Sequence, residues 1–148
     1  MATLHDAKNR EAIKARLRLV TADSLRKWGV MTVDQMMWHL AEGVRWYFRE
    51  MDATGIKAPF PMPKPMMRFM VLNLPWPKGA PTMRPMLASG KYELEAERGR
   101  CLALMDEFAA RPLDGEWLEH PLLGKMSGEQ CSRLQAKHFD HHLRQFGV

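Results

Sequence analysis

Residues 127–147 read SGEQCSRLQAKHFDHHLRQFG, and the fold class follows from this stretch. Ser127 and Gln130 form an S/T-x-x-Q capping box, in which a hydroxyl and an amide reciprocally satisfy backbone N–H groups left open by the first helical turn. Beyond the cap, Cys131, Leu134, Gln135, His138 and His142 recur at the spacing of one helical face. The segment therefore predicts a long helix running to the end of the sequence. At about 100° per residue, positions 138 and 142 bring two imidazoles to that face one turn apart, able to grip a single ion. His141 also pairs with His138, at i, i+3, and spacing alone does not choose between His141 and His142.

Toward the N-terminus the same cap recurs. Thr32 with Gln35 opens a helix predicted to reach about Met51, with Met36, Leu40, Tyr47 and Met51 at helical spacing and His39 beside them. Ala7 to Val20 carries Ile13, Leu17 and Val20 on one face and predicts the first helix. Lys91 to about Ala110 predicts another, burying Leu94, Cys101, Leu102, Met105 and Phe108, and Arg111-Pro112 with Asp114-Gly115 ends it. From Asp52 to Gly90 lie eight of the ten prolines, which no long helix survives. The proline-free run Met66–Leu74 predicts a short helix there. The expectation is an all-α four-helix bundle with a long crossover between helices two and three, in a single domain spanning residues 1–148. So long and apolar a connection is expected to act as a lid. Met62, Met66, Met67 and Met70, with Phe60, Phe69 and Trp76, would then roof the site and shape an apolar pocket.

Composition agrees with one globular unit. The 148 residues are 46% hydrophobic, enough for a core of their own. No run of about 18 apolar residues spans a bilayer, and the first residues lack a signal peptide, so a soluble cytoplasmic protein without a membrane partner is expected. Cys101 and Cys131 sit far apart inside helical segments and read as buried thiols. The 22 Lys and Arg against 17 Asp and Glu give +5, scattered and without the aromatic or glycine-rich pattern of a nucleic-acid module. Nucleic acid is not an expected partner; a small molecule is. For such a bundle a two-fold homodimer is the commonest assembly.

A third ligand must come from outside the last helix. His39 is the other histidine within a long helix and near an apolar face, whereas His5 lies near the terminus and His120 in a loop. Glu42, one turn after His39, is the best-placed carboxylate for a general base, although an exposed or supporting position is the commoner reading of such a residue. The methionine cluster lacks the cysteine or histidine neighbours of a Cu(I) site and reads as adaptable core.

Two stretches carry a family resemblance. Trp28 to His39 follows Trp-Gly-x-Met-[Thr/Ser]-x-x-Gln-Met-x-x-His, and the C-terminal part joins HPLLGKMS at residues 120–127 to KHFDHHLRQFG at residues 137–147. Over most of its length the chain resembles the DinB/YfiT-like superfamily of four-helix-bundle metalloenzymes, and within it a bacterial group of unknown function. The resemblance implies a metal triad of one histidine from the second helix and an HxxxH pair from the fourth, with a glutamine three residues after the last ligand. His39, His138, His142 and Gln145 occupy those places. It selects His142 over His141 and leaves His141 flanking the site. Three neutral imidazoles leave a coordination position open, as in catalytic rather than structural sites, and zinc and nickel are the leading ions. Activities implied are thiol S-transfer or isomerisation with a low-molecular-weight thiol as co-substrate, and an open metal position equally suits hydrolysis. The alternative is a bundle that binds metal or an apolar ligand without turnover.

Overall fold

The Ser127 cap forms as its sequence requires. Gln130 N–H donates to Ser127 Oγ at 3.2 Å, and Ser127 N–H donates to Gln130 Oε1 at 3.0 Å. The computed structural model describes residues 2–48, 52, 54–58 and 61–148, and these residues are helical, with five α-helices and no strand. They are α1 (Ala7–Leu19), α2 (Val33–Arg45), α3 (Lys64–Asn73), α4 (Leu94–Ala109) and α5 (Gly128–Gln145), with 3₁₀ turns at Trp46–Phe48 and Arg84–Met86. No helix among the described residues is long and apolar enough to cross a membrane.

Each helix end has a chemical reason. Asp6 Oδ1 takes the Asn9 N–H at 2.7 Å to start α1. At its other end the buried Arg98 guanidinium donates to the carbonyls of Leu17 and Val20, acceptors that a helix C-terminus leaves open. Thr32 and Gln35 close the box at α2, and Asp34 in its first turn takes the Tyr92 N–H at 2.9 Å. That bond, with the Tyr92 ring stacked on Trp38 at 5.1 Å, holds the approach to α4 extended. The helix expected from Lys91 consequently begins at Leu94. The helix expected to reach Met51 ends at Arg45 and tightens into the 3₁₀ turn, where the adjacent Trp46 and Tyr47 both bury; Met51 lies outside the described residues. Pro65 sits in the first turn of α3, where its missing N–H costs nothing.

α2 packs along α4 and also meets α5; α1 lies against α4 and α5, and α3 lies on α5. Leu17, Met36, Met37, Leu40, Met105, Phe108, Phe139 and Leu143 are fully buried between them. Cys101 and Cys131 are free and buried, as their sequence context predicts. The connection between α2 and α4 is tied down by polar contacts. Lys137 of α5 donates to the carbonyls of Val71 and Leu74 at the end of α3, and Trp76 Nε1 donates back to Val71 O at 2.7 Å. Its second half reaches α2 through the 3₁₀ turn Arg84–Met86.

Candidate metal centre

α2 and α5 face each other at His39, His138 and His142. The three rings stand edge to face with centroids 4.8–4.9 Å apart, and one nitrogen from each lies within 4.8 Å of the others. All three residues are buried, His39 to 3% exposure and the other two to 8%. This group is able to hold a metal ion.

Hydrogen bonds on the far side of two rings settle which nitrogen faces inward. His39 Nδ1 lies 2.8 Å from Met86 O. A carbonyl only accepts, so neutral His39 carries its proton on Nδ1 and turns a bare Nε2 to the centre. His142 Nδ1 lies 2.8 Å from Gln145 Oε1, while Gln145 Nε2 donates to Trp28 O at 2.8 Å. The donation to Trp28 O fixes the amide's orientation, so His142 also keeps its proton on Nδ1 and presents Nε2. His138 Nε2 lies 2.8 Å from His39 Nε2; with His39 bare at that atom, His138 is the donor in this contact, and a bound ion would take that proton's place. Such hydrogen-bonded outer partners are what metal-ligating imidazoles ordinarily have.

Burial keeps the three imidazoles neutral. It lowers the pKa of His39 and pushes His138 well below the usual histidine value, with His39 and His142 adding to the effect, and it brings His142 down to about 3. Neutral imidazole is the form that ligates. The donor set, its tautomers and its shape therefore fit a divalent ion.

Two glycines make room. A Cβ on Gly43, one turn past His39, would stand 3.0 Å from Cε1 and 3.1 Å from Nδ1 of His138. The same position is 3.7 Å from Gln135 Oε1, a buried oxygen with no hydrogen-bond partner among the described residues. Gly29, at φ +76°, passes so close to Gln145 that a Cβ would meet its Nε2 at 2.6 Å. Neither position is marked by periodicity. A glycine in the interior of a helix, four residues after a candidate ligand, was the one local signal for Gly43.

The other candidates are placed elsewhere. His141 is buried beside the triad, 5.1 Å from the His142 ring and between Trp28 at 5.7 Å and Trp76 at 5.5 Å. Glu42 turns to α4: its Oε1 accepts from Arg45 at 2.7 Å and Arg100 at 3.0 Å. A carboxylate engaged by two guanidiniums is a poor general base. His5 joins the N-terminal segment to α5 and to the end of α4, through Ser132 Oγ and Arg111 O, both at 2.8 Å. His120 is a turn residue whose Nδ1 accepts the N–H groups of Leu122 and Leu123 at 3.2 and 3.3 Å. Its pKa is pushed down to about 4 by burial, with Lys64 adding to it.

The expected roof is corrected by the structure. Met66 and Phe69 are 50% and 62% exposed, and Met70 is exposed too; α3 turns Met67 and Leu72 inward instead. Phe60 lies outside the described residues. What the connection contributes to the centre is the Met86 carbonyl and the Trp76 ring, the latter 5.9 Å from His138.

A family described as a protein of unknown function (DUF1569) matches residues 4–147. No curated protein and no solved structure matches the chain.

Proposed function

The chain belongs to the DUF1569 family, whose description names no activity, and from the geometry we propose that His39, His138 and His142 bind a divalent metal ion, zinc or nickel, in a DinB/YfiT-like four-helix bundle with a long crossover. The activity proposed is metal-dependent thiol S-transfer or hydrolysis of a small molecule. The observation that carries the reading is the pair of fixed tautomers: Met86 O and Gln145 Oε1 each hold an Nδ1 proton, so His39 and His142 turn bare Nε2 atoms inward to a buried cluster that brings one nitrogen of each ring within 4.8 Å of the others. In the metal-free cluster the Nε2–H of His138 meets the lone pair of His39, whereas a bound cation would meet one nitrogen of all three rings at once.

His39, His138 and His142 would hold the ion, which when bound would supply Lewis acidity toward a water or a thiol. The residues of the chain do the rest. Met86 and Gln145 orient the ligating rings. Trp28 and Trp76, packed around His141, narrow the access of water to the ring edges. Glu42 pairs with Arg45 and with Arg100, which Glu97 also engages, and so is turned to α4.

Metal content tests the proposal. Wild-type protein, purified anaerobically and refilled with zinc or nickel, is expected to hold one ion per chain. His39→Ala, His138→Ala and His142→Ala should each lose it, while His141→Ala should keep it. Equal metal in the wild type and in all three ligand variants would sink the reading.

A further inference from the structure

We propose that the small molecule taken by the three-histidine centre is an anion, attracted by positive charge concentrated in the connection between α2 and α4; the inference rests on the metal-site reading above. Between Asp52 and Glu93 the sequence holds six basic residues, Lys57, Lys64, Arg68, Lys78, Arg84 and Lys91, and no acidic one. The whole chain carries +5, so everything outside this segment together carries about −1. The net charge of the protein is therefore that of one segment, and this segment reaches the centre, setting the Met86 carbonyl on His39 and the Trp76 ring beside His138 and His141.

Two of its cations lie two residues in sequence from those contacts, Lys78 after Trp76 and Arg84 before Met86. Lys78 Nζ lies 5.3 Å over the ring of Trp28, which itself abuts His141. Arg84 begins the 3₁₀ turn that ends at Met86. Both are exposed, and neither forms an ion pair with a described residue. Lys64, by contrast, is paired with Glu119 at 3.2 Å, and Arg68 is spent on the Lys125 carbonyl. Among the described residues the carboxylate felt beside the centre is that of Asp140, which acts on His141 and is itself paired with Arg16 and Arg144. All three ligands are neutral imidazoles, and Glu42, the nearby buried carboxylate, is already held by Arg45 and Arg100. A divalent ion there would keep its full charge, and the field it shares with Lys78 and Arg84 has one sign. Such a field raises the local concentration of anions and rejects cations.

The test uses cobalt(II)-loaded protein, in which thiol binding is read from the thiolate-to-cobalt absorption band, and two probes of nearly the same shape that differ in charge, 3-mercaptopropionate and 3-mercaptopropionamide. At low ionic strength the carboxylate probe is expected to bind about fivefold tighter, the order given by two partly screened charges. The preference should fall with added salt and shrink in the double variant Lys78→Gln/Arg84→Gln to what the ion alone sustains, whereas Lys78→Arg/Arg84→Lys should retain it in full. Equal affinity for the two probes, or a preference undiminished in the uncharged double variant, overturns the proposal. Failure of the wild type to take up cobalt, or equal uptake by His138→Ala, overturns the metal-site reading instead, so the two failures are told apart before any thiol is added.

Discussion

Gln145 touches no candidate ion position, yet the chemistry of His142 depends on it. Its amide accepts from His142 Nδ1 and donates to Trp28 O, so replacing it by an apolar residue leaves a buried N–H without an acceptor and frees the imidazole to move its proton to Nε2, the ligating atom. Gln145→Leu is expected to weaken zinc affinity about 10- to 100-fold, measured by competition with a chromophoric chelator. Gly43 poses the opposite case. Helix propensity alone would make Gly43→Ala stabilising by about 1 kcal/mol, but the new methyl meets the His138 ring at 3.0 Å, and that ring must shift to admit it. The expected result is a zinc affinity lower by about tenfold in a metal-free protein whose urea midpoint is unchanged or higher. A parallel loss of affinity and stability would reduce Gly43 to a packing role.

Among the elements, α5 carries two ligands and the tautomer-fixing glutamine, and its start rests on Ser127. Ser127→Ala should cost about 1 kcal/mol in chemical denaturation and leave the metal stoichiometry intact, because the ligands lie three turns away. α1, α4, α5 and the start of α2 were legible in the sequence because caps and apolar periodicity are local signals, written within a few residues of the structure they cause. Spacing paired His138 with either His141 or His142, and the choice of His142 came from the family resemblance, not from local periodicity. The Met86 carbonyl was not legible: it belongs to a proline-rich segment without periodicity, 47 residues from His39, and a backbone acceptor leaves no trace in residue type. The roof went wrong through rotation. The sequence showed an apolar run at residues 66–74 but not which side of it would face α5. With Met67 and Leu72 inward, 100° per residue turns Met66, Phe69 and Met70 to solvent.

For the molecule as a whole, acid should be destabilising, and the sign follows from His120. Its Nδ1 accepts two backbone N–H groups and cannot take up a proton without losing both. Its native pKa is pushed down from 6.5 to about 4, so between those values the unfolded chain binds more protons than the native one. This contribution is complete above about pH 6.5 and is lost as pH falls toward 4, amounting to about 3 kcal/mol. His142, brought down to about 3, extends the loss to still lower pH, and a metal-loaded protein should respond more steeply because protons then compete for the ligand atoms. Urea midpoints of metal-free protein should be flat from pH 8 to 7 and decline from 6.5 to 4. His120→Ala separates the sources. The variant is expected to start from a lower midpoint at pH 7.5 but to decline less over the acid range, because the proton uptake linked to that turn is gone. A variant that keeps the full wild-type slope would assign the acid sensitivity to the buried histidine triad and not to the His120 turn.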